Sequence, residues 1–358
     1  MNKQAQSVKI KGFKGFEDFS LEGLKRVNLI GGKNNIGKTA FMEAMRLYLE
    51  SQEPYDVVIG LFEMVKRRRG HLSERESHEL YLDFFYCDGK SFEIQVDDSI
   101  LRFSYYPDGS PTRIEDFIRE VSSNQASLSP PKPPIEPGPV FEILLNGDGK
   151  IVHPPLFSRI STLIHGRDFE QTPSIHFISS ATADEKQIAI LYGSLINENK
   201  ESYLDESLRL FDESLIALKQ VVTRHGVLLK LLTKQQEKPV LLSSFGEGIN
   251  RYIAILCAIW ASKDGYLFID EVENGIHYSN YQKLWKLLFE ASKLANCQLF
   301  LSTHSKECIE AFNAQNSENE GAYFEFYRHH KKQNIVAKSR DFKQLNYALT
   351  HDGAIRGE

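Results

Sequence analysis

The sequence predicts an α/β fold: a parallel sheet with crossover helices, an inserted antiparallel β region and a helical second lobe. Three observations carry that class. Tyr266-Leu267-Phe268-Ile269 and Gln298-Leu299-Phe300-Leu301 are short, wholly apolar or nearly apolar runs separated by a helical stretch, the pattern of strands buried on both faces. Val27, Leu29 and Ile30 form another short apolar strand, which stops at Gly31-Gly32. Residues 78–106 alternate instead, as half-buried antiparallel strands do.

Taken in order, Val8, Ile10 and Phe13 begin an alternating strand that Phe16, Phe19 and Leu21 resume beyond Gly15. From Lys38 onward, Ala40, Phe41, Ala44, Met45, Leu47 and Leu49 recur at helical spacing. Leu80, Leu82 and Phe84, then Phe92, Ile94 and Val96, then Leu101, Phe103 and Tyr105 read as strands. Asp88-Gly89 reads as a hairpin turn between the first two. Residues 128–140 hold a proline run that excludes helix and central strand and reads as an extended surface loop. A break at Asn197-Glu198-Asn199-Lys200 precedes a helix over 201–221, with Leu204, Leu208, Phe211 and Leu215 on one face. Leu241-Leu242 opens the series of buried parallel strands, and Ala322 to Ala337 reads as a closing hairpin. The expected division is a first lobe over 1–200 and a second over 201–358, together one composite unit.

Composition bounds the function. Hydrophobic residues make up 41% of the 358 and charged residues 25%, enough for a sizeable core. Lys plus Arg is 43 against 48 Asp plus Glu, a net charge of -5, which excludes a general basic coat and leaves a local basic groove open. The densest charge run, Lys66-Arg67-Arg68-Arg69, reads first as a solvated face, with contact to DNA or a partner left open. No apolar stretch reaches the ~18 residues of a membrane span, and Met1 to Gln6 lack a signal-peptide core. Cys87, Cys257, Cys297 and Cys308 form no C-x-x-C and suit a reducing compartment. A soluble, cytoplasmic protein with no membrane partner is expected.

Gly32-Lys33-Asn34-Asn35-Ile36-Gly37-Lys38-Thr39 fits the phosphate-loop pattern G-x-x-x-x-G-K-[ST] between a strand and a helix. A chain of this length would match by chance roughly once in a hundred. The glycines let the backbone wrap phosphates, so the N–H groups of the loop and of the helix start, Gly32 to Ala40, can point inward. Lys38 would add a point charge to the β- and γ-phosphates of ATP, and Thr39 a hydroxyl to Mg²⁺. Asp270-Glu271 ends a buried strand, where α/β sheets bind ligands. Asp270 would hold the same Mg²⁺, directly or through water, and Glu271 would polarise the attacking water. Asp270 follows Lys38 by more than two hundred residues, so a large insertion separates the motifs. Ser243-Ser244-Phe245-Gly246-Glu247-Gly248 precedes Asp270, and Ser302-Thr303-His304-Ser305 follows the next strand.

This order of motifs resembles the P-loop ABC-type ATPase head, in the branch that holds the RecF, SMC and OLD proteins. Ser244 to Gly248 is similar to the ABC signature, Asp270-Glu271 to Walker B with its catalytic glutamate, and His304 to the switch histidine. Glu273-Asn274-Gly275-Ile276-His277 stands in the place of the D-loop. Ser244 to Arg251, taken with Asp270 to His277, most resembles the OLD-like ATPases of bacterial anti-phage systems. The resemblance covers residues 8–50 and 240–310; over 75–200 it extends only to the general layout. It implies that Ser244, Gly246 and Gly248 contact the γ-phosphate bound to another protomer, which makes the protein a homodimer at least. It also implies a sensor or scaffold that controls a separate nuclease or toxin effector, because the stretch after Ser305 is too short for the OLD nuclease domain. The alternative is a RecF- or SMC-like repair ATPase that closes on DNA. Phe245 and Glu247 replace the Gly and Gln of transporters. The Q-loop glutamine stays open between Gln187 and Gln171, and His277 stays open between a site role and a helix cap.

Overall fold

The computed structural model describes residues 4–69, 79–87, 89–107, 139–152, 174–181, 184–224, 226–316, 319–330 and 334–351. The proline run, Gln171, Asp88 and the side chains of residues 66–69 lie outside the described part.

Alternation in the first two strands makes a hairpin, β1 (Ser7–Phe13) and β2 (Phe16–Glu22), with Phe13 opposite Phe16 across Lys14-Gly15. β3 (Val27–Gly31) leads through the glycine loop into α1 (Lys38–Glu50) and then α2 (Pro54–Arg69). β4 (Ser91–Val96), β5 (Ser99–Tyr106), β6 (Val140–Leu145) and β7 (Asp148–Val152) follow. They do not form a sheet of their own. β4 pairs with β1, so one antiparallel sheet runs β2-β1-β4-β5-β6-β7.

The parallel sheet gathers distant segments. β8 (Ile175–Ile178), β12 (Tyr266–Ile269), β13 (Gln298–Thr303), β3 and β14 (Gly321–Arg328) are parallel neighbours, and β15 (Ile335–Arg340) closes the edge antiparallel to β14. Strands from both sides of residue 200 therefore share one sheet. Each strand sends alternate residues to opposite faces, so two cores form. Leu267, Ile269, Leu299 and Leu301 pack with the helices α3 (Glu185–Asn197), α5 (Glu247–Ala261) and α6 (Tyr281–Leu294). Phe268, Phe300 and Ile30 pack on the other face with α1 and the antiparallel sheet. This double burial explains why the runs are almost continuously apolar.

Residues after 200 also form α4 (Glu201–Phe211), a three-stranded antiparallel sheet of β9 (Leu215–Thr223), β10 (Gly226–Thr233) and β11 (Val240–Leu241), then α7 (Lys306–Gln315) and α8 (Phe342–Thr350). Three local expectations are corrected here. The helix over 201–221 stops at Phe211, because Asp212 turns the chain: its Oδ1 accepts from Ser214 N at 2.8 Å, and Leu215 is buried as a strand residue. Leu241 pairs with Lys230 in that antiparallel sheet, not in the parallel one, and Leu242 starts a 3-10 turn. Leu80, Leu82 and Phe84 lie on a 3-10 helix (Glu79–Phe84), not a strand. Leu82 is 46% exposed, and with β4 on β1 from Val8 to Lys11 the chain after this helix makes a single bridge to β1, Phe85 opposite Phe13. Asp88 lies outside the described residues, and a tight turn at Asp97-Asp98, where Asp97 takes φ 52°, joins β4 to β5.

Candidate nucleotide site

The register of the parallel sheet brings the chemistry together. Gly31 pairs with Thr303, Ile269 with Leu301, and Ile269 with Ile178, so the chain leaves these strands at one edge as the glycine loop, Asp270-Glu271, His304 and Ser179. That edge is where open α/β sheets bind ligands.

The glycine loop is specified by close approach. Gly32 has φ 150°, and a Cβ there would stand 2.7 Å from the Phe326 carbonyl oxygen on β14, which bars a side chain. At Gly37, φ 94° starts α1 with no side-chain cap and no acidic residue in the first turn, leaving the first N–H groups of the helix for an anion. Lys38 is 7% exposed, and its Nζ donates to the carbonyls of Gly32 at 2.7 Å and Lys33 at 2.9 Å. Burial lowers its pKa, while the carboxylates of Asp270, Glu271 and Glu273 act in the opposite direction.

Asn34, Asn35, Gly37, Lys38, Thr39, Ala40, Asp270 and Glu271 line one open cleft of about 570 Å³, together with Gly15, Ile36, Arg328 and Ile335. Gly32 is not in the lining and instead supports Lys38 through its carbonyl. Thr39 Oγ1 lies 3.0 Å from Asp270 Oδ2 at the exposed mouth of the cleft. Ser302 Oγ donates to Asp270 Oδ1 at 2.5 Å and accepts from the Glu271 backbone N–H at 2.8 Å. Glu271 itself holds φ 51°, a left-handed conformation uncommon for its residue type. Arg251, 4% exposed on α5, clamps the same turn from below, donating to the carbonyls of Asp270 at 2.6 Å, Glu271 at 2.9 Å and Ser179 at 2.6 Å. His304 sits beside the acids. Its Nδ1 is 3.2 Å from Glu273 Oε1 and 3.8 Å from Glu271 Oε1.

The signature segment stands apart. Ser244 ends the 3-10 turn Leu242–Ser244 and is exposed, and Gly246 is the exposed N-cap of α5 with open space around its Cα. Gly248 is pressed against the D-loop: a Cβ there would meet the Gly275 carbonyl oxygen at 2.6 Å. None of the three lines the cleft of its own chain. Gln187 is exposed on α3 and absent from the lining. His277 caps the 3-10 helix Tyr278–Asn280, with Nδ1 accepting from Ser279 N at 3.4 Å.

Arg251 and Glu273 belong to the motifs that resemble the OLD-like ATPases, and Ser302 to the run before His304, but the sequence assigns them no contact and does not connect Arg328 or Ile335 to the cleft. Their roles depend on contacts across the sheet, and their local patterns carry no signal of it.

The fit to Mg²⁺ rests on donor chemistry. Among the described residues no group of three or more His, Cys, Asp or Glu is placed to hold a metal. Thr39 and Asp270 present two adjacent hard oxygens, which suits an ion that keeps its other positions for phosphate and water.

A family model described as "AAA domain, putative AbiEii toxin, Type IV TA system" matches residues 27–310. An "ATP/GTP phosphatase" of Helicobacter pylori is 28% identical over 331 residues, which cover 85% of this chain and 86% of that protein. Among solved structures, an Smc head bound to the C-terminal winged-helix domain of ScpA gives a TM-score of 0.53 at 11% identity, covering 96% of this chain and 100% of that one. An Smc head with an extended coiled coil, bound to the C-terminal domain of ScpA derived from Pyrococcus furiosus, gives 0.50 at 11%, covering 97% and 99%. At such identities the likeness is one of fold, that of an Smc head.

Proposed function

The chain belongs to the family of AAA domains described as putative AbiEii toxins of type IV TA systems and is an ATPase, and from that premise we propose that it is an ATP-gated sensor or scaffold of an anti-phage defence complex. Its nucleotide-driven oligomerisation controls a separate nuclease or toxin effector. One observation carries the oligomeric part: the phosphate loop and the acids share a cleft, while Ser244 and Gly246 face open surface outside it. A second copy would bring Ser244, Gly246 and Gly248 to the γ-phosphate, with the N-terminus of α5 favouring the anion.

In this reading the loop N–H groups and Lys38 hold the ATP phosphates, and Thr39 and Asp270 would hold Mg²⁺. The metal supplies positive charge to the phosphate oxygens as charge develops on them. Glu271 accepts from the attacking water, Ser302 and Arg251 hold the Asp270-Glu271 turn rigid, and His304 takes part at the γ-phosphate. Loss of that phosphate then releases the two heads. Among the described residues no helix is long and apolar enough to cross a membrane, and the proposed setting is the cytoplasm.

The test is the native mass of tagged Glu271→Gln protein purified from its host with ATP and Mg²⁺. A higher assembly carrying a second polypeptide is expected. A bare homodimer that shifts duplex DNA only with ATP would replace the defence reading with the repair one. Full ATPase activity in a dilute monomer would overturn the shared site.

A further inference from the structure

Glu273 has a burial and a partner that the assigned roles leave unused. Its side chain is 6% exposed, and Oε1 accepts from the His304 backbone N–H at 2.9 Å and stands 3.2 Å from the ring Nδ1. Oε2 is buried with no hydrogen-bond partner among the described residues. Glu271 Oε1, at 3.8 Å from the same Nδ1, is beyond hydrogen-bond range. An ionised carboxylate only accepts, and a hydrogen bond to it from the ring places the proton of a neutral imidazole on Nδ1 and leaves Nε2 with its lone pair. The His304 side chain is 49% exposed and Glu273 is buried, and the ring presents Nδ1 to the buried carboxylate. One carboxylate oxygen thus holds the His304 backbone and lies beside the ring Nδ1, where a single group can set position and tautomer together.

We propose that Glu273 is the positioning residue of His304 and fixes the Nδ1–H tautomer, so that His304 offers Nε2 as a hydrogen-bond acceptor. The inference rests on the reading that gives His304 a part in γ-phosphate chemistry, and it changes what that part is. A histidine that contacts a phosphate oxygen must donate from Nε2. One held by Glu273 accepts there, and the donor present during hydrolysis is the attacking water. Glu271 and His304 then meet that water as two acceptors, and Glu273 acts only through the ring.

The full chain, labelled with ¹⁵N at histidine, tests this with and without a non-hydrolysable ATP analogue and Mg²⁺, at a pH well above the ordinary histidine value. Comparison with His304→Gln assigns the resonance. The expected result is a protonated Nδ1 and an unprotonated Nε2 for His304 in the wild type. Mixed tautomers are expected in Glu273→Gln, whose amide can turn its NH₂ toward the ring. Glu273→Ala should lower kcat about tenfold with KM for ATP within about twofold. The Glu273→Ala/His304→Ala double variant should be no slower than His304→Ala alone. A protonated Nε2 in the neutral wild-type ring overturns the proposal without requiring any variant to fold, and so does an unchanged kcat in Glu273→Ala. An unchanged kcat in His304→Ala would instead remove the part given to His304 at the γ-phosphate, and the tautomer measurement keeps the two failures apart.

Discussion

The cleft and the signature segment differ in how each is held. The cleft is tied within the chain: Lys38 to the loop carbonyls, Asp270 to Thr39 and Ser302, the Glu271 backbone to Ser302 and Arg251. Ser244 and Gly246 lie exposed at the start of α5, and only Gly248 is packed, against the D-loop. A group that must be pre-organised for chemistry is braced by its own fold. A group that completes another copy's site needs instead a free surface on a rigid base, and α5, buried from Arg251 to Trp260, supplies that base.

Breaking the cleft should give the largest effects. Lys38→Ala is expected to abolish nucleotide binding by calorimetry. Glu271→Gln should keep ATP bound while its turnover falls about 10²-fold or more, as loss of a general base does. If both variants hydrolyse ATP like the wild type, the assignment of the cleft is wrong. Breaking the signature is more diagnostic. Ser244→Arg should fold and bind nucleotide as a monomer yet lose most turnover. Mixed with Lys38→Ala protein it should regain activity, because the mixed dimer pairs one intact loop with one intact signature. Two inactive partners that stay inactive when mixed, despite forming the dimer, would confine the site to one chain.

The brace beneath the acids can be removed by itself. Ser302→Ala deletes the hydroxyl shared by Asp270 and the Glu271 backbone, and a loss of about tenfold in kcat is expected, with smaller change in ATP affinity. An unaltered kcat would mean that Arg251 alone suffices to hold the turn. Gly248→Ala sharpens the other half of the comparison. The added Cβ meets the Gly275 carbonyl oxygen at 2.6 Å, so a loss of about 1–3 kcal/mol is expected in denaturant unfolding. Wild-type stability there would show that the D-loop yields.

How much of this was legible in the sequence follows the reach of each signal. The glycine loop, the acids and the three apolar parallel strands carry their cause locally, in a motif or in double burial, and the structure places them where the spacing implied. Leu215 misled because its spacing continues the helical face of Leu204, Leu208 and Phe211, while Asp212 bends the chain first. Leu80, Leu82 and Phe84 misled because alternation does not tell how much edge is free: β4 takes β1 from Val8 to Lys11, which leaves the chain after Phe84 a single bridge, Phe85 to Phe13. Arg251 closes the run Ser244 to Arg251 and Ser302 opens the run before His304, but neither motif says what the side chain touches. Their roles come from carbonyls and carboxylates that only the assembled sheet brings near.

The smallest effect probes the sheet that carries the cleft. His176 lies on β8 with Nδ1 3.0 Å from Ser262 Oγ, and burial, then the charge of Arg46, hold its pKa below the ordinary 6.5. The folded state therefore binds this proton less readily than the unfolded chain. The stability that results is fully present above the unfolded value and is lost as pH falls through it toward the depressed folded one. β8 also feeds Ser179 and Ser180, the carbonyls that receive Arg251 and Asn274. Between pH 7 and 5 the wild type should lose on the order of 1 kcal/mol more stability than His176→Gln, whose amide cannot take the proton. Parallel curves for the two proteins would show that β8 is indifferent to this charge, and that the cleft gains its rigidity from Arg251 and Ser302 without help from the strand beneath them.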